Sequence, residues 1–206
     1  MKTNKTKAML DMPKLRSPFI RKKIDGNYVV TPEIDPKYQW VFDEPKVKAI
    51  EKLDGTNVSV LSENDEVTRI YNRKNKIRFW SGSPIVHCLL NSSEKKWLRF
   101  KDGQYFGEAV GEKINGNPLG LKKRLWMPYV LAEKKLMYTS FYQHDRTFEN
   151  WSSWFKDYLF SLMARKYAIE KSKKVFAEGV VFYHPDGIRM AKLRRDMFDW
   201  YKGRRH

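Results

Sequence analysis

Five short runs rich in valine, tyrosine, phenylalanine and isoleucine recur along this chain, and each is bounded by glycine, proline, asparagine or aspartate. Such runs are typical of β-strands, and the residues that bound them are typical of turns. The sequence Pro185-Asp186-Gly187 between the last two runs predicts a hairpin. The runs cover residues 57–61, 67–71, 104–110, 176–183 and 189–193.

Residues 148–163 follow a different pattern, because aromatic and apolar side chains recur there at three- and four-residue spacing. This spacing predicts an amphipathic helix packed on the core. A weaker helical pattern covers residues 84–99. Strands before and after helices predict a mixed α+β fold with largely antiparallel sheets. No repeat or Gly/Ser linker appears, so we predict one domain over residues 1–206, with 1–12 as a mobile basic N-terminus.

The net charge of the chain limits the classes of partner that it is expected to bind. Its 41 Lys and Arg exceed its 24 Asp and Glu by 17, which predicts a polyanionic partner such as nucleic acid, nucleotide or membrane surface. No apolar run approaches the roughly 18 residues of a membrane span, so no membrane partner is expected. The single cysteine, Cys88, excludes an internal disulfide framework. A reducing compartment, the cytoplasm or a host cytoplasm for a viral chain, is therefore expected.

A lysine before a tight turn is the first candidate for chemistry. It lies in Glu51-Lys52-Leu53-Asp54-Gly55-Thr56-Asn57, at the end of a strand-like segment. Such a turn exposes an amine while the flanking strands fix its position, and an amine is nucleophilic only when neutral. Taken alone, Lys-x-Asp-Gly fits a surface lysine better than a nucleophile, because so short a pattern recurs often.

Three further motifs follow this lysine in order. They are Tyr105-Phe106-Gly107-Glu108, Glu178-Gly179-Val180-Val181-Phe182 and Met190-Ala191-Lys192-Leu193-Arg194, at successive intervals of 56, 70 and 14 residues. The four motifs together resemble those of the covalent nucleotidyltransferases, which include ATP-dependent DNA ligases, RNA ligases and mRNA capping enzymes. The resemblance extends from about residue 40 to 200. It implies a nucleotidyltransferase (ATP-grasp-like) fold of mostly antiparallel sheets flanked by helices, with the nucleotide site between the sheets.

One position separates the branches of this superfamily. DNA ligases and capping enzymes usually have a basic residue where this chain has Asn57. Asn57, together with Glu51, is similar to the RNA ligases that seal nicks in duplex RNA. The segments 116–121 and 184–196 resemble small RNA ligases of this kind. The resemblance therefore implies an ATP-dependent RNA ligase that joins 3′-hydroxyl and 5′-phosphate ends, in nicked duplexes or broken RNA, as in RNA repair.

The resemblance also implies catalytic roles. Lys52 would attack the α-phosphate of ATP and carry AMP on its nitrogen, and Lys192 and Arg194 would bind that phosphate. Two residues at i and i+2 on a strand share a face, as this role requires. A solvated basic strand face is the alternative for this pair when the upstream motifs are left aside.

The acidic residues of the motifs are implied ligands. Glu178 and Glu108 would hold Mg²⁺ (or Mn²⁺), and Glu108 would also bind the ribose hydroxyls. Glu51 would accept a hydrogen bond from the adenine amino group; a role as a strand-edge surface acid is an equal alternative. Glu178 and Glu108 also fit ordinary carboxylates paired with the many cations of this chain.

Further contacts are implied less sharply. Arg73 lies where the family has an arginine that contacts nucleotide or the 5′-phosphate, and Asn57 would position the RNA ends or simply cap its turn. Trp126 or Tyr129 would stack on adenine; strand alternation places the two on opposite faces, so only one fits. Core packing is an equal alternative for each.

The resemblance leaves alternatives open. A minimal DNA ligase, a capping-type guanylyltransferase and a non-catalytic RNA-binding relative stay in competition with the RNA ligase. Only 12 residues follow Arg194, so no C-terminal OB-fold or helical domain is expected. The basic N-terminus and residues 189–206 would then hold the RNA backbone. Alternatively, an accessory protein completes the enzyme.

Overall fold

The computed structural model describes residues 10–80, 82–143, 145–170 and 174–205. Within these ranges, ten strands form three sheets in which all pairing is antiparallel. Of the residues 1–12 predicted to be mobile, 1–9 lie outside the described part, and the Leu10 backbone forms hydrogen bonds with the Gln104 side chain. The strands are β1 Phe19–Ile24, β2 Asn27–Ile34, β3 Lys48–Lys52, β4 Thr56–Glu63, β5 Glu66–Asn72, β6 Asn75–Ile77, β7 Gly103–Val110, β8 Leu125–Pro128, β9 Gly179–Tyr183 and β10 Met190–Arg194.

The strands divide into a two-stranded sheet β1-β2, a three-stranded sheet β10-β9-β3 and a five-stranded sheet β6-β5-β4-β7-β8. The five predicted runs correspond to β4, β5, β7, β9 and β10, and the last two form the predicted hairpin. The mixed fold with antiparallel sheets and flanking helices is therefore confirmed.

The helices are short. They are α1 Trp40–Asp43, α2 Pro84–Glu94, α3 Tyr129–Lys135, α4 Phe148–Ser153 and α5 Leu162–Tyr167, with 3₁₀ turns at Pro36–Tyr38, Thr139–Gln143 and Arg195–Met197 and a π-helical turn at Trp154–Tyr158. In the part of the chain that the structure describes, no helix is long and apolar enough to cross a membrane.

The prediction of one continuous helix over residues 148–163 is wrong. The chain instead runs through α4 and the π-helical turn, and then becomes extended before α5. There the Ser161 amide donates to the Val175 carbonyl, and the Ala177 amide donates to the Leu159 carbonyl. The Ser161 side chain caps α5 by accepting from the Ala164 amide. The helix cap and the strand-like pairing thus interrupt the helix, although the apolar spacing continues through residues 148–163.

Three clusters of buried apolar side chains pack against the faces of the two larger sheets. One cluster, with Val58 and Trp126, lies between α2 and the outer face of the five-stranded sheet. A second joins Ile50 of the three-stranded sheet to Met127 of the five-stranded sheet. The third, with Phe182, covers the other face of the three-stranded sheet. The second cluster holds the two large sheets together, and it leaves a pocket between them.

Candidate active site

The pocket between the two sheets has a volume of about 460 Å³ and both charged and aromatic walls. One wall comes from β3, β9 and β10, and the other from β4, β7 and the start of α3. Its lining residues are Met12, Pro13, Lys14, Leu15, Ile50, Glu51, Lys52, Leu53, Gly55, Asn57, Arg73, Glu108, Tyr129, Ala132, Val181, Tyr183 and Lys192.

Lys52 ends β3 inside this pocket and faces an acidic partner. Its Nζ lies 2.6 Å from Glu178 Oε2, and the two side chains are only 23% and 15% exposed. A glycine in each of these two motifs allows a neighbouring strand to approach closely. A Cβ on Gly179 would lie 2.2 Å from the Leu193 carbonyl oxygen, and one on Gly55 would lie 2.2 Å from that of Ala109. The Lys-x-Asp-Gly turn and the Glu-Gly pair are therefore packing requirements of neighbouring strands.

Arg194 and Lys192 add positive charge to the same wall. Register places Lys52, Gly179 and Arg194 in one row across the three strands, and Arg194 Nη1 lies 3.7 Å from Glu178 Oε1. Lys192 lies two residues before Arg194 on the same face, as predicted. Partial burial, and then the charges of Arg194 and Lys52, lower the pKa of Lys192. Arg194 Nε also lies 3.1 Å from Asp196 Oδ1, and of these three cations Lys52 and Lys192 line the pocket, which suits an anion there.

The opposite wall carries a chain of two hydrogen bonds, and both of its donors are uncharged. The Asn57 amide donates to the Tyr129 hydroxyl at 2.8 Å, and that hydroxyl donates to Glu108 Oε2 at 2.6 Å. Burial raises the pKa of Glu108 to about 7, although the charge of Lys52 opposes this shift. Burial and the neighbouring Glu108 raise the pKa of Tyr129 well above its usual value, so the phenol stays a donor.

Asn57 also presents an unused acceptor. Its Oδ1 is buried and accepts no hydrogen bond within the described part of the chain. A buried acceptor without a partner costs free energy, on the order of 1–3 kcal/mol, unless a ligand satisfies it. The pocket is therefore suited to a ligand with a hydroxyl or amino donor at this point.

Of two residues predicted to contact the nucleotide, one lies at the pocket and the other lies in the core. Arg73, in the turn after β5, lines the pocket. Trp126 does not, and its expected stacking on adenine is corrected. The side chain is fully buried in the cluster under α2, and its indole nitrogen donates to the Val58 carbonyl at 3.0 Å. Tyr129, the other aromatic candidate, does line the pocket.

Glu51 lies on the face of β3 that points away from Lys52. It is 3% exposed, and it accepts hydrogen bonds from the Ser161 hydroxyl at 2.5 Å and the Met163 amide at 2.8 Å. Its carboxylate thus satisfies the first turn of α5. Burial raises the pKa of Glu51 to about 7. The structure gives this side chain a capping role, and a contact with adenine stays a prediction.

The N-terminal segment forms a part of the site that the sequence did not predict. The Leu10 backbone pairs with the Gln104 side chain on the five-stranded sheet, and the Arg16 carbonyl accepts from the Lys192 amide on the three-stranded sheet. Residues 12–15 between these points line the pocket. The segment therefore crosses from one sheet to the other and brings Lys14 to the site. No local sequence pattern signals such a long-range pairing.

The carboxylates of Glu178 and Glu108 suit a divalent cation that takes its remaining ligands from water and from the phosphates of a substrate. Among the described residues, no group of three or more His, Cys, Asp or Glu side chains is placed to hold a metal ion. Mg²⁺ in phosphate sites commonly takes one or two carboxylates and completes its shell with waters and phosphate oxygens. Glu178 and Glu108 both act electrostatically on the Lys52 side of the pocket. They fit such a cation, and they do not fit an all-protein cage.

No protein-family model matches this sequence, and no curated protein matches it. Among solved structures, an RNA ligase variant from Naegleria gruberi with ATP and Mn has a TM-score of 0.50 at 16% identity, over 87% of this chain and 59% of that chain. The same ligase with PPi aligns over 94% of this chain and 60% of that chain, at 17% identity and a TM-score of 0.46. This chain thus spans about three fifths of that ligase. At this identity the first likeness shows a shared fold, the nucleotidyltransferase type found in RNA ligases.

Proposed function

We propose that this chain is an ATP-dependent RNA ligase that acts through a lysyl-AMP intermediate. One observation carries the proposal: the lysine of the Lys-x-Asp-Gly turn lies in a pocket between two sheets, 2.6 Å from Glu178 and beside Lys192. A surface lysine before a turn does not explain this burial. The shared fold with an RNA ligase supports the same reading.

The proposed chemistry consists of three displacements at phosphorus. The neutral Lys52 amine attacks the α-phosphorus of ATP; the new N–P bond replaces the bond to pyrophosphate, and the amine loses a proton. An oxygen of an RNA 5′-phosphate then takes the AMP from the lysine. Finally a 3′-hydroxyl attacks that 5′-phosphorus and expels AMP, which closes the strand. Such displacements depend mainly on position and charge neutralisation.

The two walls divide these tasks. Lys192 and Arg194 bind the α-phosphate and neutralise the charge that develops on it. Glu108 accepts from the ribose hydroxyls, while Asn57 meets the RNA end with its free acceptor. Glu178 and Glu108 would hold Mg²⁺ or Mn²⁺, which supplies further neutralisation of phosphate charge when it is bound. Glu178 also forms the ion pair that positions the Lys52 amine in the pocket.

RNA is proposed as the substrate because of Asn57 and the charge of the chain. The net charge of +17 suits a phosphate backbone. Asn57 lies opposite Lys52 and carries no charge, so the site lacks the basic residue that DNA ligases and capping enzymes usually have at this position.

The test is a labelling experiment with Mg²⁺ and α-labelled ATP or α-labelled GTP, followed by a denaturing gel. We expect a labelled protein band with ATP alone, and no band with Lys52→Ala. Lys46→Ala, at an exposed position before β3, is the matched control and keeps the band. A band with GTP would instead assign the chain to capping, and the lack of any band in the wild type would refute the enzyme. Nicked duplexes with RNA or DNA on either side of the nick then identify the nucleic acid.

A further inference from the structure

Residues 73–80 combine positive charge with exposed aromatic rings directly beside the pocket. The segment reads Arg-Lys-Asn-Lys-Ile-Arg-Phe-Trp, with four basic residues and no acidic one. It contains the turn after β5, all of β6 and the two aromatics that follow. We call it the basic hairpin. Because β6 is an edge strand of the five-stranded sheet, the hairpin borders solvent.

Register places part of this charge on the pocket side of the sheet. Lys76 pairs with Tyr71, which in turn pairs with Ser59 of β4. Ser59 lies two residues after Asn57 and therefore on the same face, the face toward the pocket. Arg73 at the tip lines the pocket itself. The hairpin thus continues the cationic surface from the pocket to the edge of the sheet.

The cations of the basic hairpin are available for a ligand. Among the described residues, no ion pair involves its side chains Arg73, Lys74, Lys76 or Arg78. Most guanidinium groups of the C-terminal tail, residues 189–206, already bind other groups of the protein. Arg195 donates to the Phe155 carbonyl, and Arg205 donates to carbonyls at residues 196, 198, 199 and 201. Charge that already binds the protein contributes less to phosphate binding.

Both aromatic rings are exposed, and contacts around Trp80 fix its position. Phe79 is 56% exposed and Trp80 is 61% exposed. The Trp80 carbonyl accepts from the Ser83 amide at the start of α2, which fixes the backbone. The indole lies over Gly82, where an added Cβ would come within 2.0 Å of the ring. Large rings exposed next to unpaired cations are the surface on which unstacked bases bind.

We propose that the basic hairpin is the RNA-docking surface of this chain. Lys74, Lys76 and Arg78 bind backbone phosphates, and Phe79 and Trp80 stack an unpaired base near the end that enters the pocket. The proposal rests on the proposed function. It assigns RNA binding to this hairpin rather than to the C-terminal tail, and it favours an end with at least one unstacked nucleotide.

The first test removes both rings. An RNA with 2-aminopurine next to its 5′-phosphate is titrated with the Phe79→Ala/Trp80→Ala variant, and binding is followed by anisotropy and by quenching. We expect at least tenfold weaker binding and loss of quenching, while RNA-free adenylylation stays within twofold of the wild type. Trp80→Phe keeps an aromatic ring and retains quenching. Tyr28→Ala, which removes an equally exposed ring from the basic β1-β2 hairpin, changes none of these quantities.

The second test concerns charge. Losing two phosphate contacts to a single strand lowers the slope of log binding constant against log salt by about 1.4. We expect this change for Lys74→Ala/Lys76→Ala and a smaller one for Lys202→Ala/Arg204→Ala in the tail. Unchanged binding, quenching and slope in the hairpin variants would refute the docking site, and would leave the patch as a surface for a protein. If the wild type forms no AMP adduct, the ligase fails, yet the same RNA titrations still decide the docking site.

Discussion

The two faces of β3 place neighbouring residues in opposite environments. Toward the pocket, Lys52 ends the strand and pairs with Glu178. On the other face, Glu51 is buried and binds the first turn of α5 through Ser161 and Met163. Side chains alternate along a strand, so one step along the chain separates the proposed nucleophile from a residue that caps a helix.

Glu51 and Glu108 have similarly raised pKa values but different surroundings. Burial raises the pKa of each to about 7. Both residues are among those that line the pocket, but Glu51 accepts hydrogen bonds with both oxygens from α5, whereas Glu108 accepts one from Tyr129. A raised pKa therefore does not identify a functional carboxylate by itself; the groups that surround it do.

The largest expected effect belongs to the pocket face. Lys192→Ala removes a cation proposed to bind the α-phosphate, and loss of one such electrostatic contact typically lowers a rate about 10²–10³-fold. We expect that decrease in the rate of adenylylation measured with labelled ATP, with the melting temperature almost unchanged because Lys192 is only partly buried. Lys46→Ala removes the same charge from an exposed site and should leave the rate as it is. A normal rate in Lys192→Ala would show that this face does not handle phosphate.

The sequence predicted the pocket-facing motif residues better than it predicted what surrounds them. Lys52, Glu108 and Lys192 all line the pocket, and each lies in a strand-like motif that the local sequence indicates. The N-terminal crossing near Lys14 depends on pairing across the fold, with Leu10 bonded to Gln104 from 94 residues away. No periodicity contains that information.

Trp126 shows a second reason why the prediction was incomplete. A run such as Leu-Trp-Met-Pro predicts a strand, but the face of each residue depends on register with its neighbour. Trp126 pairs with Ala109, which places the indole under α2 rather than in the pocket. A shift by one residue would reverse the faces, and local composition does not fix it.

The core face should be tested through stability. Burial raises the pKa of Glu51 from its usual 4.5 to about 7, so its contribution to stability is complete below pH 4.5 and is lost as the pH rises through 7. Glu51→Gln keeps an acceptor oxygen for the Met163 amide, places an amide donor beside the Ser161 hydroxyl, and removes the titration. We expect the wild type to lose on the order of 2–3 kcal/mol of unfolding free energy relative to this variant between pH 5 and 8. Denaturant melts at several pH values measure it.

An exposed acid provides the control for that experiment. Glu66→Gln at the start of β5 should follow the wild-type pH dependence, because its side chain is exposed. Adenylylation by Glu51→Gln should stay close to normal if the residue only caps α5. A strong loss of activity with ATP would instead support the predicted contact with adenine.

The smallest effect is expected at Glu108, where titration should appear in binding rather than in folding. A carboxylate accepts charge-assisted hydrogen bonds from ribose hydroxyls, and a protonated carboxyl does so less well. Because burial raises the pKa of Glu108 to about 7, adenosine affinity should rise roughly tenfold between pH 6 and 8. Adenosine carries no phosphate and does not itself titrate in this range, so calorimetric titration isolates the protein group. Glu108→Gln should bind weakly at every pH, and Glu51→Gln should keep the rise. If Glu108→Gln retains the same pH dependence, the titrating group lies elsewhere, and the difference between Glu51 and Glu108 lies in packing alone.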